Sequence, residues 1–154
     1  MAIRSKTEEA FRDVLQDSGV TIPIHISQAN QTVAKVGLQR VNIRAISGEQ
    51  TRPKTRVIRM IVLVSVETNA DKDDADVEDP EARHKEGIDT VQSALDDNVT
   101  PLAQRLSAAR DEVGPFTCLF VQPIGDVSDV PQPGDRIFRD TIGYTVIVAE
   151  GNAT

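Results

Sequence analysis

The strongest constraint in this chain is the run from Val57 to Thr68. Ile58, Met60, Val62, Val64 and Val66 alternate onto one side of an extended backbone, while Val57, Ile61 and Leu63 make the other side largely apolar. A strand that is apolar on both faces belongs near the centre of a sheet or across a subunit contact.

The rest of the core has to be made from similar residues. Among 154 residues there is no Trp, one Tyr and four Phe, so Val, Ile and Leu supply most of the buried area. Such a core suits sheets, where branched side chains pack well. The length implies one domain, residues 1–154, and 39% apolar with 27% charged residues marks a globular chain.

Other elements follow from local pattern. Ser5 and Glu8 form a capping box ahead of Phe11, Val14 and Leu15, which predicts a helix from Thr7 to Asp17, ended by Ser18-Gly19. Val20, Ile22, Ile24 and Ile26 alternate with polar residues as a strand, and Pro23 assigns it to a sheet edge. Val36 to Ile46 reads as a strand with a bulge near Gln39-Arg40, where the apolar phase slips. Ser47 to Arg56 reads as a long hairpin connection. Residues 69–81 read as a solvated acidic loop leading to a helix N-terminus.

Ile88, Val91, Leu95, Val99, Leu102 and Leu106 form a helical stripe from Glu81 onward. At Pro101 either one helix kinks or Thr100 caps a second one; the unbroken phase favours a kinked or nearly collinear pair. Phe116–Ile124 and Thr141–Ala149 are strands, separated by a loop from Gly125 to Asp140. The expected fold is α+β: one mixed, mainly antiparallel sheet, element order α-β-β-β-α-β-β, with the long helical region on one face.

Chemistry is hard to find in this pattern. The acidic segment fails the EF-hand template: from Asp71, positions 5 and 12 are Ala75 and Ala82; from Asp74, positions 6 and 12 are Asp79 and Lys85. His25 and His84 are expected at the surface, and Cys118, in phase with Phe116 and Phe120, in the core. There is no phosphate-binding loop, paired-His metal motif or nucleophile elbow. No catalytic, cofactor-binding or metal residue is therefore assigned, and the chain is read as a non-enzyme. One cysteine cannot form an internal disulfide, the N-terminus lacks a signal-peptide pattern, and the longest strongly apolar run, Met60 to Val64, is too short to span a bilayer. An intracellular protein without a membrane partner is expected.

Charge is segregated along the chain. The net charge is −7, which excludes a uniformly basic nucleic-acid surface but not a local patch. Between Lys35 and Met60 lie Lys35, Arg40, Arg44, Arg52, Lys54, Arg56 and Arg59 against Glu49 alone. Between Glu67 and Glu81 lie Glu67, Asp71, Asp73, Asp74, Asp76, Glu78, Asp79 and Glu81 against Lys72 alone. These are two solvated loops, two complementary surfaces for head-to-tail association, or, for the basic hairpin, a contact with nucleic-acid phosphates. The candidate interface residues are Arg52, Lys54 and Arg56 on the basic side and Asp73, Asp74 and Asp76 on the acidic side.

The capped Ser5–Asp17 helix, the Val57–Thr68 strand with its polar extension, the Glu81–Ala109 helical region and the closing run from Phe116 through Tyr144 to Val148 resemble, in order and texture, the tail terminator (tail completion) family of long-tailed bacteriophages. The resemblance covers most of the chain. It implies a small structural subunit of the virion, made in the host cytoplasm. Such a subunit usually forms a hexameric ring that caps the tail tube and joins it to the head connector, with DNA passing through the lumen without sequence-specific binding. It implies no cofactor and no catalytic residue. The alternatives are a tail tube or other connector subunit and, from another class, a small cytoplasmic enzyme or ligand-binding domain.

Overall fold

The computed structural model describes residues 3–26, 38–50, 57–69, 79–96, 101–108, 116–128 and 137–150. Its elements are α1 (Ile3–Asp17), β1 (Ile24–Ile26), β2 (Gln39–Gln50), β3 (Val57–Asn69), α2 (Pro80–Leu95), α3 (Leu102–Ser107), β4 (Phe116–Ser128) and β5 (Ile137–Glu150). The strands form one sheet in the order β1-β2-β3-β5-β4. Only β1–β2 is parallel; the other three pairings are antiparallel. The expected mixed α+β architecture is what the chain adopts, and β3 stands at the middle of the sheet.

One face of the sheet carries the core. Val41, Ile43 and Ala45 of β2, Met60, Val62, Val64 and Val66 of β3, and Ile142, Tyr144, Val146 and Val148 of β5 are all buried on the helix side. Phe11, Val14 and Leu15 of α1, Val91 and Leu95 of α2 and Leu106 of α3 close over them. The Phe11 and Tyr144 rings meet at 5.7 Å. Cys118 joins this core as expected, but not in phase with Phe120: a register shift between the two turns Phe120 to the other face, where it is 42% exposed.

Several boundaries differ from the sequence reading. Helix α1 begins at Ile3, so Ser5 and Glu8 lie inside it and do not form a capping box. Glu8 instead accepts a hydrogen bond from the Ala45 amide at 2.9 Å, and Arg4 donates to the Ala45 carbonyl at 2.9 Å. Strand β1 pairs β2 only as far as Ile43; beyond it, α1 satisfies the backbone of Ala45. The strand expected over Val20–Ser27 shrinks to Ile24–Ile26, at the sheet edge that Pro23 indicated.

The register shift of β2 lies between Ile46 and Glu49, not near Gln39-Arg40, and the strand runs on to Gln50 through what was read as a connection. Both closing strands are longer than expected and take up half of the Gly125–Asp140 segment.

The helical stripe is divided between two helices. Asp79 caps α2 through the Glu81 amide, with Pro80 in the first turn, and Pro101 stands at the N-cap of α3. Arg105 donates to the Ala94 and Leu95 carbonyls at 2.6 and 2.8 Å. In a straight continuation these residues would be about 15 Å apart along the axis, beyond the reach of an arginine. The nearly collinear arrangement is therefore replaced by a second helix folded back toward the end of the first, and the apolar phase survives because both helices cover the same sheet.

Candidate functional site

The first residues of β2, the last of β3 and the first of β5 meet at one end of the sheet through Gln39↔Thr68, Arg40↔Glu67, Glu67↔Arg139 and Thr68↔Phe138. Polar residues are buried there on both faces. On the helix side, Gln39 Nε2 donates to Thr68 Oγ1 at 2.9 Å and to the Arg83 carbonyl at 3.0 Å. Thr68 Oγ1 lies 2.7 Å from His84 Nδ1, and His84 Nε2 lies 2.6 Å from Asp140 Oδ2. Which atom of each pair donates follows from the tautomer of the imidazole. Phe138 packs its ring 5.6 Å from the imidazole. Gly87 lets the Gln39 amide lie against α2, because a Cβ there would collide with that amide.

Thr68, His84 and Asp140 thus have the connectivity of a nucleophile, a base and an orienting carboxylate. Accessibility argues otherwise: Thr68 is 0% exposed, so a substrate could not reach its hydroxyl. The chain of bonds ties α2 to the sheet end. The surface position expected for His84 is wrong, since the residue is 6% exposed. Its place on the inward side of α2, one turn before Ile88 and two before Val91, was the signal available. His25 lies half-buried on β1 and joins neither His84 nor Cys118.

On the opposite face, Arg40 and Glu67 form a buried pair at 2.9 Å, each side chain 2% exposed, and Arg139 reaches the same Glu67 oxygen at 3.4 Å. Arg40 Nε and Nη1 have no hydrogen-bond partner among the described residues.

Two outer surfaces complete the inventory. The sheet face away from the helices carries Ile61, Leu63, Phe120 and Ile147, by alternation and register. Ile124 and Leu63 side chains converge over Gly143. Leu119, Phe120 and Ile124 are 52%, 42% and 54% exposed. Across the molecule, a groove of about 850 Å³ runs between α1, α2 and α3, with Asp17, Glu86 and Asp89 among its walls. Among the described residues no group of His, Cys, Asp and Glu could hold a metal ion, and no helix is long and apolar enough to cross a membrane.

The six residues singled out for interface formation, Arg52, Lys54, Arg56, Asp73, Asp74 and Asp76, lie outside the described residues. No family model and no curated relative matches the chain.

Proposed function

We propose that this chain is a non-catalytic, ring-forming subunit of a phage tail or neck, one that caps the tail tube and joins it to the head connector. The observation that supports assembly is the one-sided architecture. The described helices pack on one face of the sheet, while the other face presents Ile61, Leu63, Phe120, Ile124 and Ile147. Phe120 and Ile124 are exposed and Ile61, Leu63 and Ile147 half-buried beside them, and an apolar patch open to water marks an interaction site.

Strand addition at β4 is a poor alternative. Two register irregularities and Pro123 interrupt that strand, and both features blunt an edge. The assignment to a tail follows the resemblance in element order and gives the assembly its context. Sizing by light scattering together with negative-stain electron microscopy of the full chain tests it. A closed ring with a central hole is expected. A persistent monomer at high protein concentration contradicts the reading.

A further inference from the structure

The charges of this molecule are sorted by face as well as by segment. The sheet face away from the helices carries Arg40, Arg44, Arg59 and Arg139. Against them stands buried Glu67. Arg44, Arg59 and Arg139 are exposed and surround the apolar residues described above. The groove on the far side has the opposite character. Asp17, Glu86 and Asp89 line it with Arg105, whose guanidinium bonds the end of α2.

We propose that the exposed part of the sheet face away from the helices, around Arg44, Arg59, Phe120 and Ile124 of one copy, docks head to tail on the α1–α2 groove of a second copy. The proposal rests on the ring reading above and names the surfaces that build the ring.

Three arguments carry it. First, the two surfaces lie on opposite sides of one sheet. A single copy cannot bring them together, and each copy offers one of each. Such a contact is heterologous, so it repeats until rotation closes a ring. Second, the obvious competitor is two sheet faces packed on each other. That arrangement would bring two arginine-bearing faces together, and like charges across an interface are disfavoured. Third, this face has exposed apolar surface away from its buried polar end: Phe120 and Ile124 are 42% and 54% exposed, whereas Arg40, Glu67 and Thr141 are buried. The apolar residues supply the buried area, and the arginines set register and approach.

The test uses the full chain and two double variants. Arg44→Glu with Arg59→Glu reverses the sheet face, and Glu86→Arg with Asp89→Arg reverses the groove. All four side chains are exposed, so folding should persist, with circular dichroism as the check. Mass is followed by light scattering at low and high salt. Each variant alone should lose the ring at low salt, with apparent association at least tenfold weaker. Mixing the two should restore it, because each face then meets a groove of opposite charge.

Rings of unchanged mass and salt response in both variants would overturn the proposed interface and leave the ring reading standing. A wild-type protein that stays monomeric would remove the ring reading and this interface with it. A wild-type assembly that stops at two copies would mean a two-fold contact and overturn the proposal. So would a monomer whose sheet face binds a short DNA duplex, with the binding lost in the face variant.

Discussion

Removing Glu67 should destabilise this fold more than removing Arg40, although the two form one ion pair. The carboxylate of Glu67 has two cations, Arg40 at 2.9 Å and Arg139 at 3.4 Å. Among the described residues Arg40 has one anion, and two of its nitrogens have no partner. Glu67→Ala therefore leaves a guanidinium that is 2% exposed with no counter-charge, a change expected to cost about 3–5 kcal/mol. Arg40→Met leaves Glu67 with Arg139, which is itself 43% exposed, and should cost about 1–3 kcal/mol.

The double variant Arg40→Met with Glu67→Leu removes both desolvated charges and the two unpartnered nitrogens. It should fall within about 1 kcal/mol of wild type or above it. Urea unfolding at fixed protein concentration and high salt measures all three, since subunit association would otherwise contribute to apparent stability. Equal single-variant costs, or a double variant that loses the sum of the singles, would refute the claim that burial without full hydrogen bonding governs this pair.

Other perturbations test the packing and the polar end. Leu95→Ala empties a site 1% exposed and should cost about 2–5 kcal/mol in urea unfolding; a loss of only a few tenths would mean the stripe is not buried in the subunit. Gly87→Ala should destabilise wild type, because the new methyl displaces the Gln39 amide from Thr68 and Arg83. In a Gln39→Ala background the same change should stabilise by about 1 kcal/mol, the helix-propensity difference. Burial pushes the Cys118 thiol up from 9.0 to about 11, so the unfolded chain ionises first. Its contribution to stability is complete below about pH 9 and falls as pH rises toward 11, by at most about 2–3 kcal/mol. Iodoacetamide at pH 8 should label Cys118 far more slowly in the native protein than in urea.

The sheet was legible because its signal is local. Alternation in β3 and β5 names the buried residues one by one, and the Val91, Leu95 and Leu106 stripe names the helical surface that covers them. The errors occurred where distant groups compete for a local role. Glu8 has the spacing of a capping-box residue, but the Ala45 amide takes its carboxylate, so the helix starts earlier. The phase of the stripe across Pro101 was read correctly, yet phase says only which sheet the residues face. Two helices folded against the same sheet preserve it as well as one kinked helix does, and the Arg105 bonds to Ala94 and Leu95 decide between them.

The candidate surfaces were harder to see because charge was counted along the chain and not by strand phase. Arg44, Arg59 and Arg139 belong to three different strands, and only Arg44 and Arg59 fall within the basic segment. What unites the three is parity: each lies an odd number of residues from a buried core residue of its strand, Arg44 from Ala45, Arg59 from Met60 and Arg139 from Ile142. Within β2 and β3 the core residues Val41, Ile43, Ala45, Met60, Val62 and Val64 leave the alternate positions to Arg44, Arg59, Ile61 and Leu63. The same alternation that identifies the core thus identifies a second face that is apolar at its centre and basic around it. A monomer in water gains nothing from the exposed part of that pattern, Phe120 and Ile124, because apolar surface left in water contributes no burial. A neighbour that covers the stripe and offers acidic groups to the arginines turns both features to advantage, which is why the unpartnered face, and not the buried Thr68–His84–Asp140 chain, carries the functional reading.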